Sequence, residues 1–331
     1  SFNTATGWME VQKRIRKSNN WERMIKILSY AAAVLVPVFF VGISLKYTTH
    51  DYFSNKSVLI AQPILPGAAK AILTLDNGET INLNKETADA LQTIEGTNIQ
   101  IDSTTLNYQL AQSTSVSPKP VYNKVEIPRG GEYALVLSDG TKVHLNSMSS
   151  LRFPVAFTTG KREVELQGEA YFEVSKTGQP FIVNANGIQV EVLGTTFNIS
   201  AYPDEEYQTT LVNGSVKVSA EKGESLILKP SQQATIALGS NSIQVRTVDT
   251  SFYTSWVKGK INFKDQRLED IMKTLSRWYD MNVVYENEKL KNIRFGCNLN
   301  RYEEITPFVK LLEKTEEVHV KIEGNTITFH N

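Results

Sequence analysis

Four histidines, His50, His144, His319 and His330, could serve as metal ligands or general bases, and no two lie within four residues of each other in the sequence. An H-E-x-x-H helix puts two imidazoles one turn apart, so that zinc spacing is missing and metal catalysis is not expected. Cys297 is the single cysteine. It cannot close an intramolecular disulfide or supply a structural zinc set, and its alternation with Ile293, Phe295 and Leu299 predicts a small buried hydrophobe rather than a reactive thiol. The chain holds no G-x-S-x-G nucleophile turn, no G-x-G-x-x-G turn and no G-x-x-x-x-G-K-[ST] phosphate loop. Hydrolase, dehydrogenase and nucleotide-binding readings therefore lose their anchor residues, and no catalytic residue, cofactor or metal is expected. Glu163, Glu165, Glu169 and Glu173 alternate along EVELQGEAYFEV. Carboxylates at alternate strand positions sit roughly 6.5 to 7 Å apart, close to a glycosidase pair, but a solvated strand face is what the pattern predicts.

The elements that carry these residues follow from composition and periodicity. With 331 residues, 41% of them hydrophobic, the chain has enough apolar material for packed cores and more than one domain. Lys plus Arg equals Asp plus Glu at 35 each, so there is no basic field and nucleic acid is not an expected partner. The chain opens on Ser1 rather than Met, and further residues upstream are expected.

Ile27 to Leu45 are nineteen consecutive uncharged residues. As a helix they span roughly 30 Å, one bilayer crossing, with about 3 to 6 kcal/mol of insertion energy from Leu, Ile, Val and Phe. The run exceeds a signal peptide's apolar core and no A-x-A-like site follows, so a retained transmembrane helix over 27–45 is expected. Lys13, Arg14, Arg16, Lys17, Arg23 and Lys26 precede it and only Lys46 and Lys56 follow closely, which keeps residues 1–26 in the cytoplasm and the bulk of the chain outside. Trp8, Val11 and Ile15 predict an amphipathic juxtamembrane arm. Pro37 removes a mid-span backbone bond, which an intramembrane protease could exploit, although a tolerated kink is the better explanation.

Beyond the span, residues 46–120 read as a linker and a first β-hairpin unit, with AQSTSVSPKP (111–120) the loosest part. AILTLDNGETINLN (71–84) aligns without gaps to YALVLSDGTKVHLN (133–146), each half a strand, an N-G or D-G turn and a second strand. Residues 121–248 continue in period two, with another N-G hairpin expected in VNGSVKV (212–218) and another pair of strands in FIVNANGIQVEVL (181–193). An all-β domain is expected, either a hairpin-repeat sandwich or a β-helix-like stack. Residues 249–258 read as a tether. From 259 to 331 the order becomes β-α-β-β-α-β-β, a small α+β two-layer domain. Its first helix, 267–280, carries Leu268, Ile271, Met272, Leu275, Trp278 and Tyr279 on one face with Asp265 as a cap. Its second, 303–314, carries Ile305, Phe308, Val309 and Leu312 with Pro307 in the first turn.

VEIPRGGEYALVLSDGTKVHLNSMSSLRFP (125–154), VELQGEAYFEV, VLGTTFNISAYP (192–203) and TLVNGSVKV (210–218) closely resemble the FecR family of transmembrane anti-sigma regulators, in its Bacteroidetes branch. The last part, with RWYD (277–280), resembles the secretin and TonB short N-terminal domain. The resemblance implies an inner-membrane protein that is not an enzyme. It would relay a signal from an outer-membrane TonB-dependent, SusC- or FecA-like transporter to an extracytoplasmic-function sigma factor and so control iron or glycan uptake genes. The family's sigma-binding domain would lie upstream of Ser1. An open sheet edge in the last domain would accept a strand from the transporter's signalling domain, and the final hairpin, Val318, His319, Val320, Lys321, Ile322, Thr326, Ile327 and Thr328, is the expected edge. Related members cleave themselves in the motif that reads LGTTFNI here, which would place the bond between Gly194 and Thr195. The Thr195 hydroxyl would attack the Gly194 carbonyl and water would open the ester; a glycine that merely permits a tight turn is the alternative. The competing function is a membrane-anchored carbohydrate-binding or scaffold protein, using Tyr133, Tyr171 and Tyr202 as an exposed platform.

Overall fold

The structure, a computed structural model, describes residues 63–84, 91–94, 97–108, 120–158, 160–221 and 223–331. The expected arm and span, and nearly all of the expected linker at 111–120, lie outside these residues. Among the described residues no helix is long and apolar enough to cross a membrane.

Alternating sequences give one apolar face per strand, and here those faces close on each other as a β-sandwich. In the first sheet the strand order is Thr80–Leu83, Ala71–Thr74, Tyr122–Glu126, Ser150–Pro154, Arg162–Glu173, Phe181–Ala185, Ile188–Val192, Val216–Ser219 and Ser225–Leu228. The second runs Leu91–Ile94, Thr97–Ile101, Thr105–Asn107, Gly131–Val136, Lys142–Leu145, Arg162–Glu173, Thr196–Ala201, Tyr207–Asn213, Gln232–Ile236 and Gln244–Thr247. One apolar cluster fills the space between them, with Leu73, Leu106, Val125, Leu135, Phe153, Phe172 and Phe197 fully buried. The choice left open between sandwich and β-helix-like stack falls to the sandwich.

The aligned repeat forms the same hairpin twice. Leu73 pairs with Ile81 in one copy and Leu135 with Val143 in the other, and both turns close through matching bonds, Gly78 N–H to the Leu75 carbonyl and Gly140 N–H to the Leu137 carbonyl. The copies stand in opposite sheets. Ala71, Leu73, Leu83, Ile101 and Leu106 therefore share one core with residues from Val125 to Ile236, and the boundary expected at 121 does not separate a linker unit from the domain. A lone hairpin could not bury its own apolar face, so it joins the larger sheets. VNGSVKV is not a hairpin either. Gly214, at φ +97°, carries the chain from Tyr207–Asn213 in the second sheet to Val216–Ser219 in the first.

Strand Arg162–Glu173 belongs to both sheets. Its first half pairs with Ser150–Pro154 and Phe181–Ala185, and its second half with Lys142–Leu145 and Thr196–Ala201. Gly168, at φ +87°, makes the corner, and a Cβ there would lie 2.5 Å from Ser149 Oγ and 2.7 Å from its Cα. Only glycine meets both demands. At the start of the strand, Arg162 is 1% exposed and pairs with Asp139 of the second-copy turn at 2.6 Å, while also donating to the carbonyls of Ser175 and Gln179.

The C-terminal part has the expected element order: Lys260–Arg267, helix α1 (Leu268–Trp278), Asn282–Tyr285, Arg294–Asn300, helix α2 (Thr306–Glu313), His319–Glu323 and Thr326–His330. The strands form two small sheets, Lys260–Arg267 with Arg294–Asn300, and Thr326–His330 between Asn282–Tyr285 and His319–Glu323. The expected inner faces of both helices are buried, Trp278 and Tyr279 included. Asp265 does not cap α1. It stands at φ +50° in a bulge of the preceding strand and receives Arg294 Nε at 3.0 Å, because the strand continues to Arg267. Helix α2 starts later than 303, since Asn300 to Glu303 forms a turn closed by Glu303 N–H on the Asn300 carbonyl, and Pro307 occupies the first turn as expected. The tether at 249–258 is ordered as one helical turn, Ser251–Thr254, and a 3-10 turn, Ser255–Lys258, that buries Trp256.

Gly168→Ala should lower the stability of the sandwich by at least about 2 kcal/mol, through positive-φ strain and the clash with Ser149. A urea unfolding midpoint equal to the parent's would refute the corner assignment.

Candidate functional site

The motifs RGGEY (129–133) and RWYD (277–280) lie far apart in sequence, yet the fold brings them into contact. Arg129 Nε donates to Asp280 at 3.0 Å and Arg129 Nη2 to the carbonyls of Ser276 and Met281, while the Gly130 N–H donates to the Arg277 carbonyl at 2.7 Å. Glu132 accepts from the Tyr302 hydroxyl at 2.9 Å and lies 3.5 Å from Arg301. The segment 63–67 joins the same contact. Ile64 is buried in the C-terminal core, and a Cβ on Gly67 would lie 2.7 Å from the Gly130 carbonyl and 2.8 Å from the Trp278 ring.

Beside this seam lies a polar cleft of about 540 Å³, lined by Glu169, Asn198, Arg246, Lys260, Arg277 and Arg301 among others. Glu169 belongs to the strand face expected to be solvated. It instead forms one wall of the cleft, with Oε2 accepting from Asn146 Nδ2 at 2.7 Å and Oε1 from Asn198 Nδ2 at 3.0 Å. Each amide is fixed from behind. Asn146 Oδ1 accepts from Arg301 Nη2 at 3.0 Å, and Asn198 Oδ1 accepts from Trp256 Nε1 at 3.2 Å. The carboxylate of the sandwich is thus wired to an arginine of the C-terminal part and to the tether's tryptophan. Burial pushes the Glu169 carboxyl above its ordinary range, against the two amide bonds and the positive charges of Arg277 and Arg301, which pull it down.

Magnitudes rank these contacts. Arg129 and Asp280 are well exposed, so their pair contributes roughly 0 to 1 kcal/mol. Arg301 is 1% exposed, lies with its guanidinium 3.7 Å from the Trp278 ring centre, and donates to the Trp256 carbonyl at 3.1 Å. Truncating such a buried, multiply bonded charge typically costs about 3 to 5 kcal/mol, so Arg301 dominates the seam. Arg277 repeats the arrangement at smaller scale, stacked 3.9 Å over Tyr202 and paired with Glu205.

Known families match both parts of the chain. The family described as FecR protein matches residues 123–217, and that described as FecR, C-terminal matches residues 260–329. The chain thus carries both FecR domains. Two crystal structures of a candidate anti-sigma factor from Parabacteroides distasonis ATCC 8503 are similar to it. One gives a TM-score of 0.58 at 26% identity, covering 63% of this chain and 98% of that one. The other gives 0.59 at 25%, covering 63% and 99%. No curated protein matches the chain.

The remaining expected site residues fall as follows. In the FecR C-terminal domain, His319–Glu323 is an edge strand, so His319, Val320, Lys321 and Ile322 lie on an edge unpaired among the described residues. Thr326, Ile327 and Thr328 do not. Their strand is paired on both sides, and Ile327 and Val318 are fully buried, because the final strand closes the sheet in parallel with Asn282–Tyr285. In the FecR domain, Thr195 is 5% exposed and its hydroxyl donates to the Ser215 carbonyl at 3.0 Å. That acceptor is an amide oxygen and no base. Gly194 is not at positive φ; it is small because a Cβ would fall 2.2 Å from Lys176 Cγ. Of the expected aromatic platform, Tyr133 and Tyr202 are buried with hydroxyls bonded to the carbonyls of Asp102 and Ser147, and Tyr171 is half-buried beside His144. Tyr133 lies on the core face of its strand with Leu135, and Tyr202, just past the strand Thr196–Ala201, is covered by Arg277 of the C-terminal domain. Cys297 packs against the C-terminal core, and burial pushes its thiol up to about 11.

Two outcomes are expected. The folded Glu169 carboxyl takes up its proton at higher pH than the unfolded one, so its contribution is most favourable below the unfolded value and is lost as pH rises through the folded one. Glu169→Gln should therefore flatten the fall in urea stability as pH rises above the usual carboxylate range, while costing about 1 to 2 kcal/mol where its own amide faces Asn146 or Asn198; an unchanged slope would refute this. On prolonged incubation, mass spectrometry should find the purified chain intact, since among the described residues no base contacts the Thr195 hydroxyl. A fragment beginning at Thr195 would show the opposite.

Proposed function

We propose that this chain is a single-pass inner-membrane anti-sigma regulator of the FecR family. Its helix over 27–45 leaves residues 1–26 in the cytoplasm and the two FecR domains in the periplasm. It takes a signal from the signalling domain of a TonB-dependent transporter and changes the availability of an extracytoplasmic-function sigma factor that controls nutrient-uptake genes, with an intramembrane protease as a possible executor. The family match, the likeness to the Parabacteroides candidate anti-sigma factor and the charge asymmetry around 27–45 support this reading.

The observation that carries it is the grip on residues 63–67. The segment that leads back toward residue 27 is held by Ile64 in the C-terminal core and by Gly67 between Gly130 and Trp278. A partner that adds a strand to the edge at His319–Glu323 binds the same domain that holds this segment, so docking and grip are energetically linked. Nothing in the linkage calls for turnover chemistry.

Deleting the gene should change transcription from the sigma-dependent promoters of neighbouring transport operons, and a chain carrying Ile64→Asp should reproduce part of that change without the transporter. Unaltered transcription from every sigma-dependent promoter in the deletion strain would remove the reading.

A further inference from the structure

His319 and His330 are eleven positions apart in sequence, a spacing that matches no helical metal motif. Strand pairing sets them directly opposite one another in the final hairpin, with ring centres 5.5 Å apart and ring planes inclined at 34°. Both rings lie on the outer face of the sheet, since they alternate with buried Val318 and Phe329. His319 is exposed and His330 half-buried, and neither imidazole makes a hydrogen bond or ion pair with another described residue.

We propose that His319 and His330 together bind a divalent transition-metal ion of the zinc or copper class. Such an ion bonds an imidazole nitrogen at about 2.0 to 2.1 Å, which puts it about 3.2 Å from the ring centre; at a tetrahedral angle two ring centres then lie about 5.2 Å apart. The observed 5.5 Å needs only a small opening of that angle. Imidazole nitrogens suit copper and zinc, with copper the tighter by the general order of divalent affinities. Glu286 follows the adjoining strand, where its N–H donates to the Phe329 carbonyl at 3.0 Å, and its charge reaches Lys321 on the same outer face. Among the described residues no three such side chains converge, so the site is a two-imidazole chelate completed by water. Bound there, the ion ties the edge strand His319–Glu323 to the central strand Thr326–His330 and fixes the register of the edge.

The test is calorimetric titration of the tag-free full chain in detergent with Zn²⁺ and, separately, Cu²⁺. One ion per chain is expected, weakened at least about tenfold by either His319→Gln or His330→Gln and unaffected by His144→Gln. The Cu²⁺ electron paramagnetic resonance spectrum should show coupling to nitrogen that either substitution diminishes. Binding that survives both substitutions overturns the proposal, as does the lack of saturable binding below about 1 mM. Should a substituted chain fail to fold, absence of nitrogen coupling in the parent spectrum overturns it equally.

Discussion

Both oxygens of Glu169 are taken by amide NH2 groups whose own oxygens are already committed, one to Arg301 and the other to Trp256. An amide so fixed cannot flip without stranding a buried donor, so the chain of bonds has one sense from end to end. The carboxylate sits one residue past Gly168, where strand Arg162–Glu173 passes from one sheet to the other. Its position is therefore set by the sandwich corner, and through it the corner dictates where the tether and the C-terminal domain can rest. A hydrophobic seam of equal area would tolerate sliding; this one does not.

The rest of the interface is consistent with that hierarchy. Exposed pairs such as Arg129 with Asp280 add direction and little energy, while Arg301, stacked on Trp278, places a charge where water is scarce. The result joins two separately cored domains largely by polar contacts, with Ile64 of the segment that precedes the first described strand inserted into the C-terminal core.

Period-two and 3.6-residue patterns made the elements legible. The repeat at 71–84 and 133–146, the alternation in 162–173 and the inner faces of α1 and α2 all follow from local chemistry, and each is present. Sheet membership was not legible. The Asn213-Gly214 pair signals a turn equally well whether the next strand pairs with the last one or crosses to the opposite layer, and only the packing decides. The place of Glu169 in the cleft wall was hidden for a related reason: a strand's outer face is polar whether it meets water or a second polar surface. RGGEY and RWYD could both be noticed as motifs, but nothing in one chain's sequence says that two motifs touch. The opposition of His319 and His330 needed the hairpin register, which a one-residue slip would have destroyed.

Residues 63–67 are stored slack. While Ile64 is seated and Gly67 is pinched between Gly130 and Trp278, those five residues are part of the folded body. Once they come free they can pay out up to about 17 Å of extended chain. Whatever is fastened to the chain before residue 63 is then on a longer leash, and any pull on the body reaches it later and more weakly, so loosening a single isoleucine converts a taut connection into a lax one.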